Sequence, residues 1–183
     1  FEQNNVIRTG NPIREDIKEI NKIRAKQSYQ FDTRKSVIAI LGGSQGSAPL
    51  NLHFEKYFEQ YISSKIQILW QCGKDDYSRL KILNGNDNIN IIPFENDINN
   101  FYSAADIIIS RAGALTLSEM SFLGKAMILI PFPKSAGNHQ IKNAETFTNS
   151  GAAILINQFE LQTGKIEKSV LDLINSPKKI SIM

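Results

Sequence analysis

Short, continuously apolar runs recur along the chain and alternate with stretches in which apolar residues are spaced by three and four positions. Runs of this kind, rich in β-branched residues, are typical of strands that are buried on both faces of a parallel sheet. Six runs fit this description: residues 36–41, 65–71, 88–93, 106–110, 126–130 and 152–156. The pattern therefore predicts a parallel sheet of about six strands.

The segments between these runs carry apolar residues at helical spacing, which predicts helices that pack one face against the sheet. These apolar residues are Leu50, Phe54, Tyr57, Phe58, Tyr61, Ile62, Tyr77, Leu80, Leu83, Leu115, Leu117, Met120, Leu123, Ile141, Ala144, Phe147, Ile166, Val170, Leu173 and Ile174. Strands that alternate with helices predict the α/β class, as a Rossmann-like doubly wound parallel sheet. Ligands of such sheets bind at the carboxyl ends of the strands.

The first 35 residues have a different character. Ile13, Ile17, Ile20 and Ile23 share one helical face, which predicts a helix over residues 13–24, and the polar residues 25–35 predict a loop. We interpret residues 1–35 as an interdomain linker with a helix, and residues 36–183 as a Rossmann-like ligand-binding domain. The sequence has no Met at position 1 and no signal-peptide pattern at its start, so we expect an internal piece of a longer protein.

Composition narrows the classes of partner. The chain has 183 residues and a net charge of +3. Its Lys and Arg residues are scattered and do not form a dense basic face, so no nucleic-acid partner is expected. Cys72 is the single cysteine, and His53 and His139 lie far apart, so neither an internal disulfide nor a metal site is expected. No run of about 18 apolar residues occurs, so no membrane span is expected.

A glycine-rich loop, residues 42–46 (GGSQG), follows the first predicted strand and leads into a helix that begins near Ala48. Such a junction aims backbone N–H groups and a helix N-terminus at an anion, which predicts phosphate binding. The alternative is a tight turn that needs glycine only for packing. The loop matches neither the dinucleotide fingerprint nor the P-loop, and the second strand does not end in Asp or Glu. Both observations disfavour a nicotinamide-dependent dehydrogenase.

A second strand–glycine–helix junction spans residues 110–119 (SRAGALTLSE). Thr116 and Ser118 are expected near the N-terminus of the helix. Two interpretations of Glu119 stay open. It lies three residues after Thr116, as in a capping box, and its acceptor oxygens would equally suit a ribose diol.

A third polar loop, residues 131–140 (PFPKSAGNHQ), follows the fifth strand, with Asn143 beyond it. Its amide and hydroxyl groups suit sugar hydroxyls, which both donate and accept. His139 is a candidate base, although a single loop histidine is more often structural. Three polar loops at one sheet edge predict a small, phosphorylated and hydroxyl-rich ligand.

Seven segments, in this order, resemble the carboxyl-terminal domain of the MurG family, the peptidoglycan N-acetylglucosaminyltransferases that convert lipid I to lipid II. The segments are residues 10–14, 41–46, 72–74, 94–97, 104–106, 110–119 and 138–144. The resemblance extends from about Val6 to Leu173. Each motif alone has low specificity, and the seven in register make the match.

The resemblance implies one half of a two-domain GT-B fold, the half that binds the nucleotide sugar. It places Arg14 in the interdomain region near the donor, Ser44 on a phosphate, Glu119 on the ribose, Gln140 on the sugar and the backbone of Glu95 on uracil. The predicted substrate-binding residues are Arg14, Gly43, Ser44, Gln45, Gly46, Glu95, Ala114, Leu115, Thr116, Leu117, Ser118, Glu119, His139, Gln140 and Asn143.

The same resemblance implies inverting transfer of N-acetylglucosamine from UDP-N-acetylglucosamine to lipid I, by a peripheral enzyme at the cytoplasmic face of the bacterial cell membrane. The acceptor site and the base are expected in an amino-terminal domain outside this sequence, and the last helix is expected to continue past Met183. No catalytic residue is therefore assigned here, no cofactor or metal is expected, and the fragment alone is expected to be inactive. The alternatives are another GT-B UDP-sugar transferase or epimerase, and a non-catalytic nucleotide-binding module.

Overall fold

A computed structural model describes residues 9–183 of the chain. Residues 1–8 lie outside the described part, and with them the start of the resemblance near Val6 and the segment searched for a signal peptide. Six parallel strands form one sheet in the order β3-β2-β1-β4-β5-β6. The strands are β1 (Ser36–Leu41), β2 (Ile66–Gln71), β3 (Ile89–Ile92), β4 (Ile107–Ser110), β5 (Ala126–Leu129) and β6 (Ala153–Leu155). The predicted strands and the doubly wound α/β class are confirmed.

Both faces of the sheet are covered, which explains why the strands are continuously apolar. Ile38 and Ile40 of β1 pack in one hydrophobic cluster, and Val37, Ala39 and Leu41 pack in the other. Each of these five side chains is at most 5% exposed. Since successive side chains of a strand point to opposite faces, a strand between two helical layers has no polar face.

Within residues 9–183, eight α-helices connect and cover the strands. They are α1 (Lys22–Ser28), α2 (Ala48–Ser63), α3 (Lys74–Leu80), α4 (Ile98–Ala104), α5 (Ala114–Phe122), α6 (His139–Asn149), α7 (Lys165–Ile174) and α8 (Pro177–Ile182). Helix α2 begins at Ala48, as predicted. Helices α4 and α8 were not predicted, because each is a segment of only six or seven residues, although α4 buries Phe101, Tyr102 and Ala104. No helix within residues 9–183 has the length and apolar content to cross a bilayer.

The predicted helix over residues 13–24 is wrong. The chain is irregular up to Asn21, whose side chain caps α1 by accepting the Arg24 N–H. Side chains far along the sequence stabilise the irregular segment: Asn99 accepts the Lys18 N–H at 3.1 Å, and Ser103 accepts the Ile20 N–H at 2.9 Å. Residues 22–28, which fall largely in the predicted loop over 25–35, form the helix instead.

The strand order reverses between β1 and β4, whose chain connections leave in opposite directions. In doubly wound sheets a crevice opens at the carboxyl ends of the strands at such a switch point. The loops that follow β1 and β4 are the glycine loop and the junction that enters α5. The fold therefore brings two of the three predicted polar loops to the same crevice.

Candidate functional site

Two glycines of the loop after β1 have different surroundings: Gly46 is tightly packed, and Gly43 borders open space. Gly43 and Gly46 have φ values of +94° and +80°, and the Gly46 N–H closes a turn onto the Gly43 carbonyl at 3.0 Å. A Cβ on Gly46 would lie 2.0 Å from the Cys72 carbonyl oxygen, so this position requires glycine for packing. A Cβ on Gly43 would meet no atom of the described chain within 4 Å, which leaves open space beside the loop.

Helix α5 gives Glu119 a different role from the capping box. The helix begins after Gly113, so Thr116 lies inside the first turn and is not the N-cap residue. Glu119 is only 8% exposed, and its two carboxylate oxygens have separate donors. Arg14 Nε donates to Oε1 at 2.8 Å, and the Tyr102 hydroxyl donates to Oε2 at 2.9 Å. The capping-box interpretation is therefore wrong.

These contacts fix the protonation of both donors. The hydrogen bond to Glu119 raises the pKa of Arg14 above its usual range. Burial raises the pKa of Tyr102, and the neighbouring carboxylate raises it further. Since an ionised carboxylate has about four lone-pair sites, Glu119 can still accept further hydrogen bonds from a ligand.

A cleft of about 280 Å³ lies between the glycine loop, α5 and the loop after β3. It brings together seven of the predicted residues: Arg14, Gly43, Ser44, Glu95, Leu115, Thr116 and Glu119. Phe94 and Leu115 are 45% and 58% exposed, and they give this cleft apolar walls next to the Glu119 carboxylate. An apolar slot with a few placed polar groups suits a planar base with an attached sugar.

A second cleft of about 430 Å³ adjoins the first on the far side of the loop. Leu41, Gly43 and Thr116 line both clefts. The second cleft also contains the predicted residues Gly46 and Gln140. Gln140 accepts the Phe132 N–H at 2.9 Å through its side-chain oxygen, which orients its amide NH₂. The predicted phosphate and sugar residues therefore lie beside the predicted nucleoside residues.

Gln71, at the end of β2, joins the glycine loop to the loop after β3. Its side-chain amide donates to the Gly43 carbonyl at 3.0 Å, and its side-chain oxygen accepts the Glu95 N–H at 2.9 Å. The Glu95 N–H is thus already bonded within the protein. Of the Glu95 backbone, the carbonyl is the group left for the predicted contact with uracil.

Six predicted residues line neither cleft: Gln45, Ala114, Leu117, Ser118, His139 and Asn143. Leu117 is 1% exposed within the core, and His139 Nδ1 contacts the Ala136 carbonyl at 2.7 Å on the exposed surface. Asn143 donates to the Ala112 carbonyl at 3.1 Å and thereby holds the entry to α5. The roles of all six residues toward a ligand stay predictions.

Arg111 is a residue of the second cleft that the sequence did not single out. Its guanidinium donates to the carbonyls of Ile130 and Pro131 at 3.0 and 3.2 Å, and to side-chain oxygens of Ser47 and Gln158 at 2.7 and 2.6 Å. Burial lowers the pKa of Arg111 to about 10, so it stays a cation at neutral pH. An arginine directly after a buried strand was the available signal, because strand ends carry the ligands of this fold.

The described residues contain no group of three or more His, Cys, Asp or Glu that could hold a metal ion. The polar groups of the two clefts are instead backbone N–H and carbonyl groups, side-chain hydroxyls, the side-chain amides of Gln71 and Gln140, two arginines and two carboxylates.

The chain is a doubly wound α/β domain, and the crevice at its switch point, at the carboxyl ends of the strands, suits an anion. Residues 37–183 match the model of the family described as the glycosyltransferase family 28 C-terminal domain, and the chain belongs to that family.

Relatives of known name agree with this assignment. The chain is 38% identical over 165 residues to a Flavobacterium psychrophilum protein and 37% identical over 172 residues to one from Cytophaga hutchinsonii. Both are named UDP-N-acetylglucosamine–N-acetylmuramyl-(pentapeptide) pyrophosphoryl-undecaprenol N-acetylglucosamine transferase. The matches cover 89% and 93% of this chain but 45% and 46% of those proteins. The chain thus spans about half the length of these relatives.

A solved structure shows the same architecture. The crystal structure of Acinetobacter baumannii MurG superposes with a TM-score of 0.69 at 25% sequence identity, and the match covers 91% of this chain and 48% of that one. The sheet described above is one half of the GT-B glycosyltransferase fold, as the resemblance to the family implied.

Proposed function

We propose that this chain is the donor-binding half of an inverting transferase that moves N-acetylglucosamine from UDP-N-acetylglucosamine to lipid I, forming lipid II. The observation that carries the proposal is the pair of adjoining clefts. They share Leu41, Gly43 and Thr116, and they place the glycine loop between Glu119 on one side and Gln140 on the other. A nucleoside, a diphosphate and a sugar in a row require this order of groups.

The first cleft suits the uridine. The Glu119 carboxylate would accept hydrogen bonds from the ribose diol with its remaining lone pairs. Arg14 offsets the negative charge of Glu119, which would otherwise repel a neighbouring diphosphate. The backbone of Glu95 and the ring of Phe94 would hold the base at the outer end of the cleft.

The glycine loop and the first turns of α2 and α5 suit the diphosphate. Helix α5 has no side-chain cap within the described chain, so its first backbone N–H groups are available to an anion. In the transfer step an acceptor hydroxyl attacks the anomeric carbon, the bond from that carbon to the diphosphate oxygen breaks, and UDP leaves with the electron pair. Donors aimed at the diphosphate stabilise the charge that develops there.

The acceptor half of the reaction falls to the part of the relatives that this chain does not span. We infer that this other part supplies the base and binds lipid I at the cytoplasmic face of the membrane, where the complete enzyme is peripheral and takes part in cell wall synthesis. The names of the relatives support transfer over epimerisation. The present chain would position the donor and stabilise the leaving group.

Calorimetry with UDP tests the donor site. We expect the chain to bind UDP, and Glu119→Ala and Ser44→Ala each to weaken binding by about tenfold, as expected for a lost hydrogen bond to a charged group. Glu59→Ala, an exposed glutamate on α2, is the matched control. Unchanged UDP affinity in both site variants would refute the assignment.

A further inference from the structure

Arg111 is a buried cation whose four contacts are all neutral. Its guanidinium bonds two backbone carbonyls, one amide oxygen and the Ser47 hydroxyl, and the residue is 8% exposed. Buried charges are ordinarily paired with an opposite charge, because desolvation is costly. The residues that line the second cleft, within the described part of the chain, include Arg111 as a cation and no acid. The cleft is therefore electrostatically prepared for an anion.

Ser47 is the N-cap residue of α2, yet its side chain does not cap the helix. A serine at this position usually accepts an N–H of the first turn. Here its oxygen accepts from Arg111 Nη2 at 2.7 Å instead. Since the oxygen is occupied as an acceptor from that side, its own proton is left to donate, and it donates to no acceptor within residues 9–183.

Both residues line the second cleft, beside Gly43 and Gly46. Ser47 is 8% exposed, so its hydroxyl lies at the base of the cleft and not on the open surface. Ala48 and Leu50 follow in the first turn of α2, whose backbone N–H groups the Ser47 side chain leaves uncapped. Negative charge in the second cleft is therefore favoured by three groups: the Ser47 hydroxyl, the backbone amides of the first turn of α2 and the Arg111 guanidinium behind them.

We propose that Ser47 is a further diphosphate-binding residue, which donates its hydroxyl hydrogen bond to the bound nucleotide, and that Arg111 is the positioning residue that orients and polarises this hydroxyl. The inference rests on the proposed function and adds to it a donor on the α2 side of the loop, distinct from Ser44. Arg111 acts through Ser47, since one of its four Nη protons is donated to the Ser47 oxygen and the other three are donated to the oxygens of Ile130, Pro131 and Gln158.

The test is calorimetry of the full 183-residue chain with uridine, UMP and UDP. Ser47→Ala is expected to weaken UDP binding by about tenfold while uridine affinity stays within about twofold, because only the phosphate contact is lost. Ser47→Gly is the second variant, since glycine is also accepted at an N-cap. Ser63→Ala, an exposed serine at the last position of α2, is the matched control.

The role of Arg111 requires a double-mutant cycle. Arg111→Lys keeps the charge but cannot hold four acceptors at once, so it is expected to weaken UDP binding by about tenfold with uridine binding again unchanged. The double variant, Ser47→Ala with Arg111→Lys, should bind UDP no more weakly than Arg111→Lys alone. Additive losses would overturn the positioning role.

The outcomes separate the two levels of the proposal. If the unaltered chain binds UDP and each Ser47 variant binds it as tightly as the unaltered chain does, Ser47 is not a diphosphate ligand and the proposed function stands. If equal losses occur with uridine and UDP, the effect is a general change of the fold and the inference fails. If the folded, unaltered chain binds none of the three ligands, the proposed function itself fails.

Discussion

The Arg14 side chain lies 2.8 Å from the Glu119 carboxylate, across a separation of 105 residues. The ion pair joins the segment before the sheet to helix α5, and it forms beside the first cleft. Arg14 is about half exposed, so the pair contributes little to the stability of the fold. Its main consequence is for the site, where Glu119 keeps a fixed position and a compensated charge.

The first prediction concerns the ribose contact of Glu119. The unaltered chain should bind UDP about tenfold more tightly than 2′-deoxy-UDP, because the carboxylate loses one hydroxyl donor. Glu119→Ala should bind the two nucleotides with equal affinity. Competition calorimetry with both nucleotides measures this difference. Discrimination that persists in Glu119→Ala would show that another group recognises the ribose.

The second prediction separates the two roles of glycine in the loop. Gly46→Ala places its Cβ against the Cys72 carbonyl and forces a left-handed φ, so it should lower the free energy of unfolding by about 3 kcal/mol. Gly43→Ala has the same conformational cost, but its Cβ would lie in open space, so it should lower the free energy of unfolding by about 1 kcal/mol. Urea denaturation of both variants provides the comparison. Equal losses would contradict the packing of Gly46 on Cys72.

The third prediction is a pH dependence carried by Asp106, which accepts the Val37 N–H at 2.8 Å and pairs with Lys22 and Lys26 at 2.5 and 3.2 Å. Burial by itself raises the pKa of Asp106, but the bonds to Lys22 and Val37 outweigh it, and the pKa is lowered. The stabilisation is therefore complete above the ordinary aspartate pKa of about 3.9 and is lost as the pH falls through the lowered value.

Asp106→Asn should accordingly lower the free energy of unfolding by about 2 kcal/mol at pH 7. The difference between this variant and the unaltered chain should shrink below about pH 4, where the aspartate of the unfolded chain becomes protonated, and it should be lost as the pH falls through the lowered pKa of the folded state. Urea denaturation at several pH values tests this. A difference that is constant from pH 7 down to pH 2 would exclude the ionised Asp106 as its source.

The fourth prediction concerns a buried pair between α2 and α7. His53 is fully buried, and its Nε2 lies 3.1 Å from Glu167 Oε1. The two atoms are at contact distance but are not aligned as a hydrogen bond, so Glu167→Ala should lower the free energy of unfolding by about 1 kcal/mol, the cost of losing one polar contact of the buried imidazole. Thermal unfolding beside the exposed control Glu59→Ala gives the measure. Equal melting temperatures for the two variants would show that the contact adds no stability.

The sheet could be predicted to within about one or two residues, because a strand buried on both faces leaves a continuous apolar run. The segment over residues 13–24 could not. Ile17 does enter the core, but the backbone bonds there go to Asn99 and Ser103, and these partners leave no mark on local spacing. Of the four Ile that share the predicted helical face, Ile17 is buried and Ile23 is 55% exposed, so the periodicity indicated neither the burial of the whole face nor the acceptors of the backbone hydrogen bonds.

The three loops of the site could be predicted from glycine and polar residues at strand ends. The contacts of Gln71 and Arg111 could not, since they depend on partners that are distant in sequence, such as Glu95 and Gln158, although the position of Arg111 directly after a buried strand marked it as a candidate. The capping box at Thr116 and Glu119 had the right spacing, but the helix starts at Ala114, and only the fold sets that start.

An NMR titration of the ¹⁵N-labelled chain with UDP shows directly whether the nucleotide binds in the two clefts beside the glycine loop. A further polar pocket, of about 540 Å³, is separate from the two clefts and lies at the opposite edge of the sheet, where Gln67 and residues 86–90 line it. It gives the experiment an internal comparison. We expect saturable shifts of the amide signals of Gly43, Ser44, Leu115 and Thr116. Shifts confined to residues 86–90, or no shifts of the folded chain at millimolar UDP, would contradict this expectation.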